Sequence, residues 1–148
     1  AVGMLMNIHA RFLFEEAFYH ARRQSELSPD ELSSLMEEAQ KKAFHGALAS
    51  YHPLFWASKL HFYLTAQPFY NFPYTFGYLF TAGLYGRARE EGKAFSRHYQ
   101  ALLRDTGSMG TEELARKHLG VDLTRPSFWE EASDVALSDV TAFLALID

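Results

Sequence analysis

The feature that most constrains this chain is a period. Apolar residues return three and four positions apart along most of its length and no stretch reads as a convincing strand, so the spacing predicts an all-α fold of six to seven helices. Over residues 2–24 the apolar face is Leu5, Ile8, Phe12, Phe14 and Phe18, with Arg11, Glu15, Glu16, Arg22 and Arg23 mostly off it. Ser28-Pro29-Asp30-Glu31 is a start signal with a mechanism. The serine caps, the proline sits where a missing N–H costs nothing, and the glutamate reaches back to the cap. The stripe Leu32, Leu35, Met36, Ala39 and Ala43 then carries a second helix to about residue 48, with Glu37, Glu38, Lys41 and Lys42 paired on its solvated side.

Pro53 breaks the pattern, and the aromatics Phe55, Trp56, Phe62 and Tyr63 predict a third, mostly buried helix over 54–64. Residues 65–73 hold Pro68 and Pro73 and show no period, which reads as an ordered loop packed by its own aromatics. Further helices are expected over 74–90, 93–104, 111–120 and 127–147. Gly107 and Gly120 serve as stops, and Ser127 with Glu130 forms a capping box. No repeat, low-complexity tract or block of like charge divides the chain, so residues 1–148 are expected to form a single helical domain.

Composition narrows the function classes. With 148 residues and 48% hydrophobic content there is enough apolar material for one core. A net charge of −4 and a pI near 6.0 leave no basic footprint, so nucleic acid is not an expected partner. The longest apolar run is Ala142 to Ile147, against the roughly 20 residues a membrane-spanning helix needs, so no membrane partner is expected. There is no cysteine, which removes disulfides and thiolate metal sites and fits a cytoplasmic location. The first residues already follow a helical period without a cap or a targeting signal, so further sequence upstream is expected.

Seven histidines invite a search for a metal, but none stand four apart and no His-Glu-x-x-His occurs. A site assembled from distant histidines is the weaker reading beside ordinary surface or hydrogen-bonded ones. The most unusual stretch is Pro68 to Phe80, in which seven of thirteen residues are aromatic and three of those, Tyr70, Tyr74 and Tyr78, carry a phenol. Two readings of it stand. Rings bury large areas and suit a core helix, whereas each buried phenol needs a hydrogen-bond partner and so points to a polar cleft. Gly77, inside the same helix, costs about 1 kcal/mol relative to alanine and predicts the close approach of a neighbouring element or a ligand.

Four segments together resemble the C-terminal region of oligoendopeptidase F, a branch of the thimet-oligopeptidase-like zinc peptidases. They are Asn7-Ile8-His9-Ala10-Arg11-Phe12-Leu13-Phe14-Glu15, Tyr51-His52-Pro53-Leu54-Phe55-Trp56-Ala57, the aromatic stretch from Pro68 to Phe80, and Leu102-Leu103-Arg104-Asp105-Thr106-Gly107-Ser108. The resemblance implies the C-terminal part of a helical, zincin-like catalytic domain that hydrolyses short peptides. Its zinc is held by His-Glu-x-x-His and a further glutamate, all of which precede the matched region. No metal ligand is therefore assigned here, no cofactor is expected for the chain alone, and the isolated chain is expected to be inactive. Tyr78 matches the tyrosine that hydrogen-bonds the oxyanion, His61 is implied as a second donor, and Tyr70, Asn71, Tyr74 and Gly77 are implied to line the substrate. Residues 65–73 contain no glycine where the thimet branch has a glycine-rich loop, which implies a stiffer loop. The implied partners are a short peptide and the missing N-terminal part of the peptidase, with self-association through apolar surface left exposed. The alternative is a stand-alone, non-catalytic helical module that holds a peptide in the same aromatic groove.

Overall fold

A computed structural model describes residues 2–147. Six α-helices make up the fold, and no β-strand occurs among the described residues. The chain divides into two compact units, one up to Phe76 and one from Gly77. No helix among the described residues is long and apolar enough to cross a membrane.

In the first unit α1 (Ile8–Arg22) packs on α2 (Pro29–Ala43). A π-helical turn, Gly3–Asn7, precedes α1, and Thr75 Oγ1 donates to the Met4 carbonyl at 2.6 Å, taking up an acceptor within that widened turn. The start of α2 follows the sequence signal. The Glu31 N–H donates to Ser28 Oγ at 3.3 Å, and the Ser28 N–H donates to Glu31 Oε2 at 2.7 Å. Its end does not, for the helix stops at Ala43 rather than near residue 48. His45 and Gly46 both turn left-handed, at φ 51° and 73°. The Gly46 N–H reaches the Lys41 carbonyl at 3.0 Å and the His45 N–H reaches that of Lys42 at 3.3 Å, a Schellman closure that ends the helix early.

The expected third helix over 54–64 is replaced by two short 3₁₀ turns, Pro53–Ser58 and Leu60–Tyr63. Lys59 between them is extended, at φ −117° and ψ 111°, so the turns do not share an axis and no single helical ladder can run through them. Both turns deliver rings to one core. Phe14, Met36 and Ala39 are buried there, with Leu13, Phe18, Leu32, Phe55, Trp56 and Phe62 packed around them. Fully burying a large apolar side chain contributes about 1.5–3 kcal/mol, so this cluster stabilises the packing of α1 on α2 and the two turns. Trp56 satisfies its indole N–H by donating to Ser33 Oγ at 3.2 Å, and this fixes the ring.

The long helix α3 (Phe72–Glu91) begins inside residues 65–73, so the expected loop is shorter at its C-terminal end. Its residues from Gly77 onward belong to the second unit, with α4 (Phe95–Asp105), α5 (Thr111–Leu119) and α6 (Pro126–Leu144). Gly83 is buried, and the Phe128 ring of α6 lies where a β-carbon on Gly83 would stand. Arg87 Nη1 donates to the Leu119 carbonyl at 2.7 Å, occupying an acceptor that the last turn of α5 leaves free. α5 ends at Gly120, left-handed at φ 67°, as its position predicts. The capping box expected at Ser127 is not formed. α6 starts at Pro126, whose fixed φ suits the first helical position, and its cap, Arg125, makes no side-chain hydrogen bond.

Candidate functional site

Four of the sequence-predicted site residues come together in the first unit. His61 lies on the second 3₁₀ turn, where its ring stacks on Tyr70, with centroids 5.8 Å apart and planes at 21°, and tilts against Phe62 at 4.6 Å. The Tyr74 hydroxyl donates to that of Tyr70 at 3.2 Å across one turn, and this bond holds the Tyr74 phenol above its ordinary pKa. Both phenols are exposed. Asn71 is only 5% exposed, and its Oδ1 accepts from Arg11 Nη1 at 2.9 Å, which pins the start of α3 to α1.

Arg11 is not among the residues the sequence singles out, nor is Glu15; the structure half-buries Arg11 and buries Glu15. Arg11 places its guanidinium carbon 5.2 Å from the centre of the Phe55 ring, and Lys59 Nζ lies 4.9 Å from the same centre. Glu15, one turn further along α1, is 4% exposed, and its Oε1 accepts from the Phe69 N–H at 3.1 Å. None of the ion pairs among the described residues involves Arg11, Lys59 or Glu15. A signal for these burials exists in the sequence. Ile8, Arg11, Glu15 and Phe18 follow each other at spacings of three, four and three, which puts the two charges in line with apolar positions.

The electrostatics of the cluster favour a particular kind of guest. Burial, then the charges of Arg11 and Lys59, push the His61 imidazole below its ordinary value, so it is neutral at neutral pH, with one ring nitrogen a donor and the other an acceptor. Burial likewise lowers the Arg11 guanidinium from its usual value. Three enclosed polar atoms have no hydrogen-bond partner: Arg11 Nε, His61 Nε2 and Asn71 Nδ2. Native interiors leave few such atoms unpaired, and each costs on the order of 1–3 kcal/mol. With two of the three being donors and two cations lacking carboxylates, the seam is short of hydrogen-bond acceptors.

Gly77 and Tyr78 lie on the part of α3 that belongs to the second unit. The close approach expected at Gly77 is not made by the chain itself. Gly77 is exposed and a β-carbon there would meet nothing within 4 Å. The glycines with a neighbour pressed against them are Gly83, under the Phe128 ring, and Gly86, where a β-carbon would stand 3.1 Å from Val135 Cγ2. Tyr78 is half-buried. Among the described residues no three of His, Asp or Glu converge as metal ligands. A zinc site therefore does not fit the side chains described, and none of the seven histidines is assigned to one. Comparison of the chain with known protein families, with curated proteins and with solved structures finds no match in any of the three.

Proposed function

We propose that this chain is the substrate-side part of an oligoendopeptidase F-like zinc metallopeptidase: it holds a short peptide, while the metal belongs to a separate part of the parent enzyme. The reading rests on the four segments that resemble that family, and its fold-level corollary is that these helices complete a zincin-like catalytic domain. Within it Tyr78, with His61, donates to the oxyanion of the scissile peptide. Tyr70, Asn71, Tyr74 and Gly77 line the substrate backbone. The observation that carries the reading is the acceptor-poor seam of Arg11, His61 and Asn71, because a peptide backbone offers the carbonyl oxygens that these enclosed groups lack. Exposed Leu60, Phe72 and Tyr74 in the same unit supply the apolar surface that a covering part of the parent, or a second copy of the chain, would bury.

The isolated chain binds a short unstructured peptide in this reading but does not cleave it. Titrating the isotopically labelled chain with such a peptide should move the amide signals of residues 61–74. His61→Ala and Asn71→Ala should each weaken binding roughly fivefold, the worth of about 1 kcal/mol for one hydrogen bond. Unmoved signals over 61–74 in a folded chain would sink the peptide-holding role. Chelator-sensitive peptidase activity from the pure chain would sink the assignment of the metal to another part.

A further inference from the structure

A second feature of the first unit is separate from the His61 seam. Between α1, α2 and the two 3₁₀ turns lies a cavity of about 140 Å³ walled by six rings, Phe14, Phe18, Tyr19, Trp56, Phe62 and Tyr63. Phe14 is 3% exposed, while Tyr19 and Tyr63 are 37% and 55% exposed. Two of the rings are held by hydrogen bonds: Trp56 by its bond to Ser33, and Tyr63 by donating its hydroxyl to the Ala57 carbonyl at 3.3 Å. The volume is close to the roughly 150 Å³ of an apolar cavity that admits benzene.

The one charged group in this wall is Glu15. Its Oε1 is taken by the Phe69 N–H, its Oε2 receives no donor among the described residues, and no Lys, Arg or His pairs with it. A carboxylate this deeply buried is costly unless a cation compensates it. The chain's own nearby cations are committed elsewhere, since Arg11 and Lys59 both lie on the Phe55 ring. Burial pushes the Glu15 carboxyl above its ordinary value, partly offset by the Phe69 N–H, and a cation in the cavity would bring it back down.

We infer that this cavity is a binding site for an alkylated ammonium cation. Aromatic faces attract a cation through the negative potential over each ring, and a box of them with one carboxylate is the arrangement that holds quaternary ammonium groups. Alkylation is required by hydrogen bonding. A bare –NH₃⁺ brings three donors, and the wall offers it one acid, Glu15, and otherwise apolar and aromatic side chains. A methylated head group brings few donors or none and fills the space with apolar surface.

The test uses the whole chain and its two tryptophan indole signals, with Trp129 of the second unit as internal reference. Tetramethylammonium chloride should shift the Trp56 signal saturably and leave that of Trp129 in place. tert-Butanol, its neutral counterpart in shape, should bind about tenfold more weakly. Glu15→Gln keeps an oxygen for the Phe69 N–H and removes the charge, so the preference for the cation over tert-butanol should shrink severalfold to what the rings alone supply. Tyr63→Leu, at the exposed rim, should weaken the cation severalfold and serves if the Glu15 variant does not fold. A peptide bearing trimethyl-lysine that binds about tenfold tighter than tetramethylammonium would place the head group on a protein; equal affinity would make it a free cation. Absence of a saturable Trp56 shift, or equal affinity of the unaltered chain for the cation and tert-butanol, would overturn the assignment.

Discussion

Alanine placed at Gly83 and, separately, at Gly77 makes one chemical change twice in the same helix, and the structure assigns the two opposite signs. Within a helix alanine is favoured over glycine by about 1 kcal/mol, because glycine gives up more backbone freedom on folding. At Gly77 nothing lies within 4 Å of the added carbon, so Gly77→Ala should keep that gain and stabilise by about 0.5–1 kcal/mol. At Gly83 the added carbon would stand 2.5 Å and 2.7 Å from Cζ and Cε2 of Phe128. Carbon atoms pack best about 3.5–4.0 Å apart, so the ring must retreat by about 1 Å. Phe128 has little room to do so, being 2% exposed, with Phe80 at 5.7 Å and Trp129 at 5.1 Å between centroids. Overpacking of this kind costs about 1–3 kcal/mol, so after the helix gain of about 1 kcal/mol Gly83→Ala should destabilise by up to about 2 kcal/mol. Urea unfolding followed by far-UV circular dichroism and by Trp129 fluorescence measures both variants against the parent. A Gly83→Ala chain as stable as Gly77→Ala would show that the packing of α6 on α3 does not depend on the missing side chain.

Ser28→Ala removes the cap of α2 and should cost about 1 kcal/mol, read as a lower urea midpoint at the Trp56 signal. Acid should act on the two units with opposite sign. Lys117 Nζ at 2.6 Å and His118 Nε2 at 2.8 Å donate to Asp105 Oδ2 and hold its carboxyl below the ordinary 3.8. The unfolded chain thus takes up that proton first, and this stability is present above 3.8 and lost as pH falls through the lower folded value. Glu15, raised above 4.5, has the reverse linkage: the folded state holds the proton longer, and stability declines as pH climbs from 4.5 through the raised value. Asp105→Asn should flatten the acid limb seen at Trp129, and Glu15→Gln the opposite limb seen at Trp56; unchanged pH profiles would contradict both assignments.

Features whose physics is local are legible in the amino-acid order alone. The all-α class, the capping box at Ser28, the stop at Gly120 and the aromatic density from Pro68 to Phe80 all depend on residues within a few positions of each other, and each is legible as spacing. Local signals failed where two of them competed. His45-Gly46 closes α2 at Ala43, short of residue 48, and the aromatics after Pro53, whose spacing predicts one helix, form two 3₁₀ turns. His61, Tyr70, Asn71 and Tyr74 could be nominated from sequence, but not their arrangement or their partners. Arg11 meets Asn71 sixty residues away and Glu15 meets the Phe69 N–H fifty-four away. A helical period places a charge on a face and says nothing of what later folds over that face. Only the return of residues 69–71 across α1 made Glu15 a buried, unpaired carboxylate and Arg11 a half-buried cation without a counter-ion, and so created the polar seam and the charged end of the aromatic cavity.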